Sequence, residues 1–243
     1  MSDRLCALRI SDPMDTGIDL QQLINALYLS SPALPIGAYS YSQGFAAAVD
    51  ANIVHSEMEV GEWILAGLRE VVGPGEAATV AWQYRFWTDK KFAEMQQLNA
   101  WLLTSRETAE LRQETEQMGW SLARIALSLN WADELSRQQL SSLAAVAFPT
   151  AFAFAAVANG LPIGTTLAAF CFSWVENQVS AALRGIPLGQ ESGQRLLQQI
   201  RPEISKVVEK AVDVGRDEIV TFAPMLGIFS SRHETQAFRM FRS

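Results

Sequence analysis

Between Gln138 and Val175 the chain carries no charged residue. A stretch that apolar is buried, either in protein or in lipid. It is broken at Ala158-Asn159-Gly160-Leu161-Pro162, where Gly and Pro read as a turn. The half after the turn, residues 163–175, is short of the ~20 that a helix needs to span a bilayer. Pro149 interrupts the first half further. The expectation is a buried helical hairpin, in the core or at a subunit interface, rather than a membrane hairpin.

The remainder of the chain has to fold around such a hairpin, and its signals are helical. No long Val/Ile/Thr-rich alternation occurs, and no Asn-Gly or Asp-Gly turn joins two alternating runs. Leu20, Leu23, Ile24 and Leu27 stand at helical spacing in residues 19–29. Ser56-Glu57-Met58-Glu59 fits a capping box opening a helix to Val72, which Gly73-Pro74-Gly75 is expected to end. Further helices are expected at 76–87, at 89–103 with Asp89 as N-cap, at 105–129, 136–148, 150–158, 163–184 and 190–212. A short one is expected at 215–223. Eight to ten helices joined by short turns predict an all-α fold, a single compact bundle with the uncharged hairpin near its centre. Residues 1–17 read as a flexible N-terminal segment, 18–229 as the helical domain and 230–243 as a loose polar tail. The N-terminus has no long apolar segment, so no secretory signal is expected.

Composition narrows the function. Hydrophobic residues make up 49% and charged residues 19%, with a formal net charge of -7. That balance is globular, and it argues against nucleic acid, which needs an excess of Lys and Arg on some face. Two cysteines, Cys6 and Cys171, suit a reducing compartment. Cys6 reads as a mobile thiol and Cys171 as a small core residue.

Little catalytic chemistry is present. The only histidines are His55 and His233, far apart in sequence, and both read as solvated surface residues. A metal site needs several ligands at chelating spacing. No Gly-x-Ser-x-Gly elbow and no Walker A loop occur. Gly73-Pro74-Gly75-Glu76-Ala77-Ala78 imitates a dinucleotide loop but follows a helix rather than a strand. Glu107, Glu110 and Glu114 share a helix face with Arg106 and Arg112 nearby. A solvated, salt-bridged face is the plain reading. A recognition patch and a carboxylate-bridged metal site are the alternatives, the latter without its Glu-x-x-His signature. No catalytic residue, cofactor or resident metal is expected.

Residues 30–44, SSPALPIGAYSYSQG, are uncharged and hold two prolines, two glycines and two tyrosines. They read as an ordered loop that packs against the protein body or a partner. With this loop, residues 105–112 (SRETAELR) followed by Gln117-Met118-Gly119, and His233-Glu234-Thr235-Gln236 followed by Arg239-Met240-Phe241-Arg242-Ser243, the chain resembles the urease accessory protein UreF family. Pro187-Leu188-Gly189-Gln190 with Gly193-Gln194 is a weaker fourth likeness. One departure stands out. The family usually continues Ser-Gln-Gly-Leu-Glu, whereas Gly44 is followed here by Phe45-Ala46, leaving no acid at position 46.

The resemblance implies an all-helical, non-enzymatic, cytoplasmic chaperone that forms homodimers. It implies binding to a scaffold accessory protein of the UreD or UreH type, recruitment of a UreG-type GTPase, and nickel insertion into the urease apoprotein. It places partner contacts at Pro35, Gly37, Tyr39, Ser40, Tyr41, Gln43 and Gly44 in the loop, and at Arg106, Glu107 and Glu110. In the tail it places them at Glu234, Thr235, Gln236, Arg239, Phe241 and Arg242. No contact with nucleic acid or membrane is implied. The competing class is a helical carboxylate or metal enzyme of unknown substrate.

Overall fold

The computed structural model describes residues 19–234 and 241–242. Among these the fold is all-α, with no strand, as expected. The elements are α1 (Leu20–Leu29), α2 (Phe45–Asp50), α3 (Glu57–Ala66), a π-helical segment (Gly67–Ala77), α4 (Ala78–Thr88) and α5 (Phe92–Thr104). They continue as α6 (Ala109–Ser128), α7 (Glu134–Ser141), α8 (Phe148–Ala158), α9 (Ile163–Gly185), α10 (Gln190–Asp213) and α11 (Pro224–His233). Among the described residues, no helix is long and apolar enough to cross a membrane.

The uncharged hairpin is α8 and the first half of α9, and it forms the centre of the bundle. Every residue of α8 from Pro149 to Ala156 is buried. α8 packs between α4 and α6, while α9 runs along α10. Phe148, Phe152 and Phe170 form an edge-to-face and tilted cluster with centroids 5.2–5.7 Å apart, geometry that adds to plain area burial. α6 approaches α8 so closely that a Cβ on Gly119 would sit 2.0 Å from the Val146 carbonyl oxygen. Only a residue without a side chain permits that crossing.

Several local expectations are corrected. Gly73-Pro74-Gly75 does not end a helix. α3, the π-helical segment and α4 form one continuous rod, with Pro74 inside it. Proline removes an N–H and clashes with the preceding turn, and the wider π turn absorbs both effects. The glycines allow close approach here rather than a left-handed cap. A Cβ on Gly73 would meet Val207 Cγ1 at 2.8 Å, and one on Gly75 would meet the Val220 carbonyl oxygen at 2.7 Å. The Pro74 carbonyl accepts a hydrogen bond from the Val220 N–H at 3.2 Å.

Asp89 follows α4 rather than capping α5, which starts at Phe92. α6 starts at Ala109 rather than at 105, capped by Thr108, whose hydroxyl accepts from the Leu111 N–H. α7 lies at 134–141, capped by Asp133. The short helix expected at 215–223 is only a 3₁₀ turn at Arg216–Glu218. Helix α11 follows and continues through Ser230 to His233, so the first residues of the expected loose tail are helical. The Ser56 capping box is present as expected, with both of its bonds made.

α1 forms where expected, capped by Asp19. Yet the stripe Leu20, Leu23, Ile24 and Leu27 is 49%, 43%, 56% and 61% exposed, and only Ala26 and Leu29 are buried. Helical periodicity identifies a stripe; it does not say whether the stripe's own chain covers it.

Candidate functional site

Residues 30–44, the opening loop between α1 and α2, are ordered by specific bonds. Gly37 and Gly44 adopt left-handed φ values of 84° and 77°, a region that favours glycine. Space also constrains Gly44, where a Cβ would lie 3.1 Å from Phe229 Cβ of α11. Tyr41 is buried, Pro35 is exposed, and Tyr39 and Ser40 are half-buried. α9 holds the loop from below: Asn177 Nδ2 donates to the Tyr41 carbonyl and Gln178 Nε2 to the Ser42 carbonyl. Gln43 bridges two helices, accepting from Trp174 Nε1 at 2.6 Å and donating to Glu114 Oε1 at 2.8 Å. Ala46, the departure from the family pattern, packs half-buried against the core.

The acidic segment is not a solvated face. Glu110 and Glu114 are buried, 7% and 4% exposed. Arg106 leaves its neighbours in sequence and pairs with Glu76 of the π-helical segment at 2.6 Å. Arg112 pairs with Glu116 on its own helix. Glu107 is exposed and accepts from the Ala223 N–H at 3.1 Å. Glu110 meets His233 with Nδ1 2.9 Å from Oε2. His233 is therefore a fully buried residue and not a solvated one, whereas His55 is exposed and paired with Glu59.

The chain end closes the arrangement. The Arg242 N–H donates to the Ser40 carbonyl at 2.7 Å, and Phe241 is buried. The Arg184 guanidinium sits 4.5 Å above the Phe241 ring and 6.0 Å from that of Tyr39. Burial raises the Tyr41 pKa, opposed by a side-chain hydrogen bond from Arg242. Burial and the nearby Glu176 carboxylate raise that of Tyr39, opposed by Arg184. Both tyrosines thus stay neutral phenols near pH 7. Glu234 is exposed. Thr235, Gln236 and Arg239 lie outside the described residues, as does Cys6.

The three sequence segments therefore meet on one side of the bundle. α11 is fastened to the start of α6 by Glu107, by the Thr108–Ser230 hydroxyl pair at 2.7 Å and by Glu110–His233. Beneath the loop lies a cavity of about 60 Å³ between Leu34, Tyr39, Arg106, Glu114, Trp174 and Asn177. Arg106 Nε and Asn177 Oδ1 are buried there without a protein partner.

This is binding geometry. Among the described residues, no group of three His, Cys, Asp or Glu side chains could hold a metal ion. Burial pushes the Cys171 thiol up to about 12, so it stays protonated and inert as a small core residue.

A family model for UreF matches residues 54–201, more than half of the chain. The chain belongs to the UreF family. It is a non-catalytic urease accessory protein with a role in nickel insertion, and its partners are those of the urease accessory complex. The matched span contains the 105–112 segment and Pro187-Leu188-Gly189-Gln190. The opening loop and the chain end lie outside it, and their relation to the matched core is set by the bonds above. Sequence reasoning missed the Glu110–His233 pair and the Glu76–Arg106 pair. Each joins residues distant in sequence, so no local pattern marks it.

Proposed function

We propose that this UreF-family chain is the adaptor of a urease maturation complex. As a homodimer in the cytoplasm, it binds a scaffold accessory protein of the UreD or UreH type. Together they recruit a UreG-type GTPase to the urease apoprotein, with nickel as the cargo. The observation that carries this reading is the convergence of the opening loop, the α6 start and the chain end on one face. Beside that face, Phe222 is 70% and Met225 58% exposed. Such exposed apolar anchors make a surface suited to a protein partner. GTP hydrolysis belongs to the partners, since this sequence has no phosphate loop.

The test is co-expression with the scaffold protein, the GTPase and urease, followed by isolation of the complex and a nickel-dependent urease assay. The full chain co-purifies and supports activity. Removing residues 239–243 abolishes scaffold binding and leaves the helical circular dichroism unchanged. Retained co-purification after that deletion would overturn the adaptor role of the tail.

A further inference from the structure

We infer that the cavity beneath the opening loop is a binding site for a small primary ammonium group, carried by a free amine or by a lysine side chain of a partner. The inference goes beyond the maturation role and does not depend on it.

The cavity has the size for such a ligand. Its volume of about 60 Å³ is several times the ~10–15 Å³ that one water needs. Its wall is mixed. Leu34, Phe170 and Trp174 give apolar surface, while Tyr39, Glu176 and Asn177 give polar atoms. A short amine requires both, since its alkyl part packs on apolar surface and its charged head keeps polar partners.

The polar groups are acceptors in search of donors. Asn177 Oδ1 is buried without a partner. Its orientation is fixed, because Nδ2 of the same amide donates to the Tyr41 carbonyl at 3.2 Å. A flipped amide would set two oxygens against each other. The Glu176 carboxylate is half-buried, and among the described residues no hydrogen bond or ion pair reaches it. Burial is the one cause of its raised pKa, with no nearby cation opposing it. The Tyr39 phenol lies close enough to feel that carboxylate. An ammonium group carries three donors and no acceptor, and Glu176, Asn177 and Tyr39 offer it one oxygen acceptor each.

Other occupants fit less well. A metal ion lacks ligands, since among the described residues no group of three His, Cys, Asp or Glu side chains could hold one. An anion would meet the carboxylates of Glu76, Glu114 and Glu176 on the same wall. The guanidinium of that wall, Arg106, is committed to Glu76 at 2.6 Å. Gln43, Glu76 and Arg106 also wall a second, smaller cavity that reaches Leu226 of α11. Arg106 thus stands at the border between the two cavities, whereas Tyr39, Glu176 and Asn177 line the first alone.

The aromatic side is held rigidly. Trp174 Nε1 donates to Gln43 Oε1 at 2.6 Å, and the ring packs so tightly on Gly67 that a Cβ there would lie 2.8 Å from it. An indole attracts a cation as well as an alkyl chain, and a wall already fixed in place loses little entropy on binding.

The test is a titration of the full chain with propylammonium chloride, read by calorimetry and by the Trp174 indole N–H resonance. One saturable site is expected, and propan-1-ol, a similar chain without the charge, does not fill it. Glu176→Gln weakens binding at least about tenfold, as for loss of a charge-assisted hydrogen bond, with unchanged helical signal. Tyr39→Phe weakens it less. Glu191→Gln, at a side chain 95% exposed, binds as the unaltered chain does. Should Glu176→Gln lose helical signal, Tyr39→Phe carries the reading, and full affinity there counts against the site. Absence of a saturable site, an equal response to propan-1-ol, or full affinity in Glu176→Gln would each overturn the inference. Co-purification of Glu176→Gln with the scaffold protein and the GTPase then separates the two sources. Its loss assigns the ammonium to a lysine of a partner, and its retention assigns it to a free amine. Propylammonium binding is read on this chain alone, so its failure leaves the maturation role standing.

Discussion

His233 Nδ1 and Glu110 Oε2 lie 2.9 Å apart in the interior, joining the last turn of α11 to the first turn of α6. The pair holds the helix that leads into the chain end. Glu110→Ala leaves a buried imidazole with neither ring nitrogen bonded, since Nε2 already lacks a partner. The expected cost is about 1–3 kcal/mol, the usual penalty for a buried orphan. Urea denaturation measures it. Replacing both residues at once, Glu110→Leu with His233→Phe, is expected to cost less than Glu110→Ala alone, because no orphaned imidazole remains. A double variant as unstable as the single one would show that the pair does not fasten α11.

Gly119 tests the crossing of α6 and α8. A methyl group there would lie 2.0 Å from the Val146 oxygen and 2.7 Å from the Ala147 carbonyl carbon. Both contacts are backbone, so no side chain can swing aside. Gly119→Ala is expected to cost at least about 3 kcal/mol, the upper end of overpacking penalties, even though alanine is the better helix former. Gly164→Ala is the control, since its Cβ would meet nothing within 4 Å. Its expected change is a gain of up to about 1 kcal/mol. Comparison of the two melting curves decides the matter.

These residues also show what a sequence can reveal. The hairpin was legible because absence of charge over a long stretch has few physical explanations, and α8 is buried accordingly. The Ser56 cap was legible because both of its bonds are local. Gly73-Pro74-Gly75 misled because a helix stop and a π-helical passage use the same residues. What separates them is Val207 and Val220, far along the chain. Glu110 and Glu114 looked solvated because acidic helix faces usually are. Their partners His233 and Gln43 come from the two segments flanking the family-matched core. The residues of the loop and tail could be picked out by resemblance, but that they meet on one face required the fold.

Glu176 carries a pH signature. It lies beside the loop cavity, and burial raises its carboxyl pKa above the ordinary glutamate value. The folded state therefore holds this proton more tightly than the unfolded chain. Its contribution to stability is fully present below the unfolded pKa and is lost as pH rises through the folded one. At pH 7 the ionised form is a small net liability, reduced by its partial exposure to solvent. Glu176→Gln is expected to raise Tm modestly at pH 7 and to leave it unchanged near pH 4. Thermal melts across that range check it, and an equal effect at both pH values would remove the titration argument.

Arg242 separates tail docking from fold stability. Its side chain is exposed and bonds the Tyr41 hydroxyl, while its backbone N–H holds the Ser40 carbonyl. Arg242→Ala removes the side-chain bond and keeps the backbone one. An exposed contact of this kind contributes less than about 1 kcal/mol to folding, so Tm should move little. Partner binding is another matter, because a guanidinium held in place by Tyr41 is a pre-organised donor for a carboxylate or carbonyl on the scaffold protein. A loss of at least tenfold in scaffold affinity is expected in a titration of the purified proteins. Tyr41→Phe should reproduce part of that loss, and the double variant should be no worse than Arg242→Ala. Strictly additive losses would mean that the two residues bind the partner independently and that the Tyr41–Arg242 bond does not orient the chain end.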